Sequence, residues 1–231
     1  MLLIHSSLSF NGGEHNMLTR RQYIVTVCLA LALFVILMLT FDTAFVKELD
    51  YDVLHTIFEW RTSWLTPFFI FITTLGSWYV TAPIWLVLVI LLMYKRQGIS
   101  ALFITLVFWG VRGLNWLLKE IFERPRPGWS QLIDASHYSF PSSNAMNSSA
   151  FFVGLLCLVL AYSKTQSVRS IAYTSFILLI ILVGFSRMYL GVHYLTDVLA
   201  GYALGISWAI SMYQLYRKFM QSSLKKYQFP T

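Results

Sequence analysis

Six stretches of this chain are apolar over about the 20 residues that an α-helix needs to cross a bilayer core, and that repetition decides the fold class before any motif is weighed. They run from 23 to 41, 67 to 94, 100 to 118, 147 to 163, 169 to 186 and 198 to 216. A backbone inside hydrocarbon must satisfy its own hydrogen bonds, so segments of this length read as helices. The chain is therefore expected to be an all-α integral membrane protein with six transmembrane helices. Its composition agrees: 12% of residues are charged, against roughly 25% in soluble domains. Residues 23 to 216 form one membrane domain on this reading, with an N-terminal segment of residues 1 to 22 and a basic tail from 217 to 231. Gly76 and Pro83 fall inside the second run, which predicts a kink there, since neighbouring helices re-satisfy the freed backbone.

The net charge of +7 could suggest nucleic acid, but the distribution of the charges says otherwise. Arg20, Arg21, Lys95, Arg96, Lys164, Arg169, Arg217, Lys218, Lys225 and Lys226 fall on the side of the N-terminus, with Glu14 as the single acid there. Short loops rich in Lys and Arg stay in the cytoplasm, so both termini are expected inside, in the plasma membrane of a bacterial cell. The other side holds Asp42, Glu48, Asp50, Asp52, Glu59, Glu120, Glu123, Asp134 and Asp197. Basic residues spent on topology, with no basic stripe among aromatics, exclude a nucleic-acid partner. Cys28 and Cys157 lie in apolar runs without metal-ligand spacing and read as small buried hydrophobes.

Before the first span, "MLLIHSSLSFNGGEHN" lacks a basic n-region, and Met17 opens a more natural entry, "MLTRRQ". The span lacks a small-residue cleavage site and is expected to be retained. Between spans one and two, "FVKELDYDVLHTIFEW" spaces Leu49, Val53, Ile57 and Trp60 at helical intervals, with Lys47, Asp50, Asp52 and Glu59 elsewhere. That pattern predicts a helix lying in the outer interface.

Three polar clusters then fall at one membrane face. In "KEIFERPRP", Lys119 ends the third span and Arg126 follows between two prolines. "PSSN", residues 141 to 144, opens the fourth span. In "SRMYLGVHYLTD", Arg187 ends the fifth span, and His193 and Asp197 stand four apart at the start of the sixth. Each has an ordinary explanation: cations at helix ends snorkel, Ser and Asn cap helices, and a His with an Asp four on is a local pair. Together they are the parts for holding a phosphate, because Arg forks match phosphate oxygens and a helix N-terminus favours an anion.

These motifs resemble the type 2 phosphatidic acid phosphatase (PAP2) family, whose signature is K-x6-RP, then PSGH, then SR-x5-H-x3-D. Lys119 with Arg126 and Pro127, Pro141 and Ser142, and Ser186 and Arg187 with His193 and Asp197 stand in those places. The resemblance implies a six-helix lipid phosphatase with a haloperoxidase-like helical core and no metal or other cofactor. It implies that Lys119, Arg126 and Arg187 bind phosphate, with Ser142 and the backbone N–H of Ser143 completing the cradle. By the same resemblance His193 attacks phosphorus and Asp197 orients its ring, as fits an imidazole with one nitrogen held by a carboxylate. The partners implied are a lipid phosphate substrate and the membrane lipids; the sequence does not specify an oligomeric state.

The second motif departs from the family at Ser143 and Asn144, where Gly and His stand in the signature. The family's histidine protonates the leaving group, and an asparagine amide only hydrogen-bonds. Ser in place of Gly also removes backbone freedom close to the phosphate. A deliberately inactivated form, a natural member with another acid, and a lineage that binds without turnover all fit the sequence. His137 lies in the same loop as a candidate acid, against its ordinary reading as a solvated loop residue. Arg112 and Asn115 share a helical face with Lys119. A charge inside a membrane helix faces the bundle interior, so Arg112 either anchors the site from below or makes a structural pair with a carboxylate or carbonyl.

Overall fold

The computed structural model describes residues 19–228; the expected N-terminal segment up to residue 18, and with it the choice of Met17, lies outside the described residues. Its helices are α1 (Arg20–Thr40), α2 (Ala44–Glu59), α3 (Leu65–Leu75), α4 (Trp78–Tyr94), α5 (Gly98–Phe122), α6 (Ser143–Tyr162), α7 (Gln166–Tyr189) and α8 (Leu195–Gln228). All six expected spans are present as helices long and apolar enough to cross a membrane, α3 and α4 together forming the second. α8 continues beyond residue 216 through most of the segment read as a tail.

The kink in the second span is a break at Gly76 and Ser77, while Pro83 is carried inside α4. A Cβ on Gly76 would lie 2.4 Å from Val183 Cγ1, so only glycine lets α3 settle on α7. Hydroxyls add to the backbone bonds at the break: Ser77 Oγ donates to Thr74 O at 2.7 Å and Thr81 Oγ1 to Ser77 O at 2.8 Å, carbonyls that also accept the N–H groups of the same two residues. This is how membrane helices tolerate an interruption.

α6 is the central helix, packed on α8, α7 and α5, and its residues from Ala145 to Leu158 are mostly buried. α8 approaches it closely because Gly201 and Gly205 face it. A Cβ on Gly205 would meet Ser149 Oγ at 2.1 Å and Met146 O at 2.3 Å. Small residues four apart are a general device for bringing membrane helices together where no hydrophobic effect drives them.

α2 forms as expected, but its buried face is Asp50, Leu54 and Ile57, while Leu49 and Trp60 stay exposed. The sequence reading put Asp50 among the outlying polar residues, and it is fully buried instead. The cause is an ion pair described below. The C-terminal ends of α5 and α7, the N-terminal ends of α6 and α8, and α2 converge at one end of the bundle. The segment between α5 and α6 runs through that convergence, with Ser139 N donating to Arg124 O and Ser142 N to Asp197 O, at 2.7 and 3.0 Å.

Candidate active site

His193 is almost wholly buried, 1% exposed. It sits in the turn between α7 and α8, two residues before the start of the helix whose beginning the sequence reading assigned it to. Its approach to Asp197 therefore comes from the turn and not from a shared helical face. Asp197 occupies the first turn of α8 and its Oδ2 accepts the Tyr194 backbone N–H at 2.9 Å. That contact is the acidic half of a capping box. The same oxygen lies 3.4 Å from His193 Nδ1, and Ser139 Oγ bridges the two, 3.3 Å from Nδ1 and in a short hydrogen bond to Oδ2.

On the other side of the ring, Arg126 Nη1 is 2.9 Å from His193 Nε2. A guanidinium only donates, so Nε2 is the acceptor and Nδ1 carries the proton. Burial, reinforced by the Arg126 and Arg187 cations and opposed by Asp197, holds the imidazole well below the usual histidine range. The ring is thus neutral at physiological pH, with its free electron pair on the side of the arginine.

The cations around it are held by neutral groups. Arg126 donates to the carbonyls of Val192, His137 and Ser136 at 2.7, 2.8 and 2.9 Å, and Lys119, in the last turn of α5, donates to Tyr138 O. Arg187, in the last turn of α7, reaches Thr73 Oγ1 at 2.8 Å. Among the described residues none of the three makes an ion pair within 4.0 Å. Arg187 Nε and Ser142 Oγ are buried without a hydrogen-bond partner. Ser142 stands at the N-cap of α6, yet its hydroxyl caps nothing. Cations and donors left in this condition beside a helix N-terminus are suited to a polyanion.

The two residues that depart from the signature are tied into the scaffold. Ser143 Oγ donates to Asn115 Oδ1 at 2.7 Å, and the Asn115 amide donates to Pro141 O at 3.2 Å. Asn144 Nδ2 donates to Thr73 at its carbonyl and hydroxyl, at 3.2 and 3.1 Å. The His137 imidazole pairs with Glu120 at 3.0 Å, both side chains largely exposed, and only its backbone carbonyl touches Arg126. Arg112 does not reach the site. It donates to Phe108 O and Thr81 Oγ1, both at 2.8 Å, and lies 3.5 Å from the Phe108 ring centroid, which is the structural alternative of the two readings. Among the described residues no group of acids, His and Cys could hold a metal ion.

Sequence reasoning missed Arg124, Asp50, Thr196, Ser139 and Thr73. Arg124 stands two residues before Arg126 across Pro125, and that pair of arginines was the available signal. Asp50 could have been found as an acid in register with Leu54 and Ile57, a carboxylate in an apolar stripe. Thr73 carries no local signal; only the packing of α3 on α7 brings it to Arg187.

A six-span bundle with a buried histidine beside cations that lack carboxylate partners has the parts for holding a phosphate at a membrane. A family model described as PAP2 superfamily matches residues 97–221. Phosphatidylglycerophosphatase B of Bacillus subtilis is 32% identical over 174 residues, covering 75% of this chain and 86% of that one. An undecaprenyl-diphosphatase of Sulfolobus acidocaldarius is 26% identical over 179 residues, covering 73% and 74%. The crystal structure of a transmembrane PAP2-type phosphatidylglycerolphosphate phosphatase from Bacillus subtilis superposes with a TM-score of 0.77 at 29% identity, over 85% of this chain and 96% of that one. The chain belongs to the PAP2 superfamily, among its lipid phosphatases.

Proposed function

We propose that the protein removes phosphate from lipid phosphates or diphosphates at the outer leaflet of a bacterial plasma membrane, through a phosphohistidine on His193. The observation that carries this reading is Arg126 on Nε2 of a buried imidazole, with Lys119 and Arg187 at the same end of the bundle, the three cations having no carboxylate partner among the described residues. On substrate binding Arg126 moves its donor from Nε2 to a phosphate oxygen. Nε2 then attacks phosphorus and the bond to the leaving oxygen breaks. Asp197 holds the Nδ1 proton as the ring becomes cationic. Water attacks the phosphohistidine in a second step, which releases phosphate and restores the ring. Ser142 Oγ, the Ser143 backbone N–H and Arg187 Nε complete the cradle.

The relatives' names support phosphatidylglycerophosphate and undecaprenyl diphosphate as substrates to try, and the family resemblance adds phosphatidic acid. The sorted basic residues support an outward-facing site with both termini inside. Asn144 favours a second reading. Its amide nitrogen is committed to Thr73 and transfers no proton, which suits a protein that binds lipid phosphate without turning it over. Phosphate release from the three lipids in detergent separates the two. The hydrolase reading expects release that His193→Ala abolishes, whereas Asn144→Ala matters less. Saturable binding without release would favour the second reading, and equal release by His193→Ala and parent would refute the mechanism.

A further inference from the structure

We propose that Asp50 and Arg124 form a positioning clamp that holds Asp197 for the nucleophile and restores its negative charge, so that α2 is a working part of the active site. The proposal rests on the reading of His193 as the nucleophile. Arg124 lies wholly between two carboxylates, with Nη1 2.6 Å from Asp197 Oδ1 and Nη2 2.8 Å from Asp50 Oδ2. Thr196 closes the ring: its N–H donates to Asp50 Oδ1 at 3.0 Å, its hydroxyl to Asp50 Oδ2 at 2.6 Å, and that hydroxyl accepts from Arg124 Nη1 at 2.7 Å. The guanidinium is sealed over Tyr194, 4.2 Å from its ring centroid. Asp50 and Asp197 are 0% exposed, Thr196 3% and Arg124 6%.

The arrangement divides Asp197 between two tasks. Oδ1 belongs to Arg124, and Oδ2 is left to Nδ1 of His193, Ser139 and the Tyr194 N–H. An arginine alone would neutralise the carboxylate and weaken its hold on the imidazolium that forms during attack. Asp50 takes the other edge of the guanidinium, so the buried cluster keeps one net negative charge. Both Nη atoms of Arg124 face carboxylates, so it has no fork left for phosphate, unlike Arg126. The clamp therefore acts on the chemical step and not on phosphate binding. A buried ion pair is weak grounds for stability, since desolvation offsets its attraction, and a positioning role explains why this one is built into the site.

The test is Asp50→Asn, which keeps an acceptor for the Thr196 N–H and removes the charge. The readouts are the rate of the first product release, with trapping of the phosphohistidine, and competitive inhibition by inorganic phosphate. We expect the rate to fall about 10- to 100-fold, as when a partner that orients a reacting group is lost, with the phosphate inhibition constant unchanged. Thr196→Val, a smaller change, should show the same split with a lesser loss. In an Asp197→Asn background Asp50→Asn should add nothing. Asp42→Asn, which breaks the exposed pair with Lys47 just before α2, should match the parent. A parent-like rate in Asp50→Asn and Thr196→Val, or a full further loss in the Asp197→Asn background, overturns the clamp alone. A parent that forms no adduct and releases nothing, or a fully active His193→Ala, overturns the nucleophile reading and the clamp with it.

Discussion

Restoring the family's residues, Ser143→Gly with Asn144→His, should trade stability for rate, and the rate should depend on the leaving group. The stability side follows from the contacts given up. Ser143→Gly removes the 2.7 Å hydrogen bond to Asn115 Oδ1, and Asn144→His gives up the amide bonds to Thr73 at 3.2 and 3.1 Å. At about 1 kcal/mol for each neutral hydrogen bond, the pair should cost about 2–3 kcal/mol, with Thr73 still held by Arg187. The rate side follows from chemistry: a general acid contributes about 10²- to 10⁴-fold, which is about 3–5 kcal/mol of barrier. A monoester expels a strongly basic alkoxide and needs that proton, whereas a diphosphate expels a phosphate whose second pKa is about 6. The double variant should melt lower in detergent yet hydrolyse phosphatidic acid faster, with a smaller gain on undecaprenyl diphosphate. If water activation also needs the missing histidine, the parent should release one burst of product per site and stall as the His193 adduct. Rates on both lipids that rise by the same factor, with no burst in the parent, would show that Asn144 is not an acid-deficient counterpart of the family's histidine.

Three further outcomes follow. His193 is held below its unfolded pKa of about 6.5, so the folded state binds fewer protons than the unfolded one below that pH. Its contribution to stability is complete above about pH 6.5 and falls by at most ~1.4 kcal/mol per unit as the solution is acidified; a His193→Gln protein that loses as much melting temperature as the parent between pH 7.5 and 5.5 would contradict this. A cysteine at the exposed position of Ser130, in a chain lacking Cys28 and Cys157, should react with an impermeant thiol reagent on intact cells, and one at Ser167 should not; the reverse pattern would invert the topology. Gly205→Ala should lower the melting temperature through about 1–3 kcal/mol of overpacking, because its Cβ meets Met146 O at 2.3 Å, whereas Gly113→Ala meets nothing within 4 Å; equal melting of the two would refute the close approach of α8 to α6.

What could be read from the sequence, and what could not, divides along a physical line. The spans are local: each one satisfies its own backbone, so length and apolarity suffice to find it. Lys119, Arg126, Ser142, Arg187, His193 and Asp197 came from motif spacing and the family resemblance it carries, and they converge because the ends of α5 to α8 meet at one level. Their partners lie beyond any such pattern. Asp50 is 146 residues from Thr196, and its charge makes sense only against Arg124; by its own neighbours it belongs to an amphipathic helix at the membrane surface. Arg112 fails the other way. Its spacing from Lys119 put it on the site's face, but the Phe108 carbonyl and Thr81 hold it there, so periodicity places a buried cation on a face and its contacts decide what it serves. That criterion separates the arginines of this chain. Arg112 is held by its own helix and a threonine, Arg124 by two carboxylates, and Arg126 and Arg187 by neutral groups alone. Position makes the remaining distinction: Arg126 reaches the His193 ring and Arg187 presents an unpartnered Nε, whereas Arg112 is held by Phe108 and Thr81 and has no contact with the site.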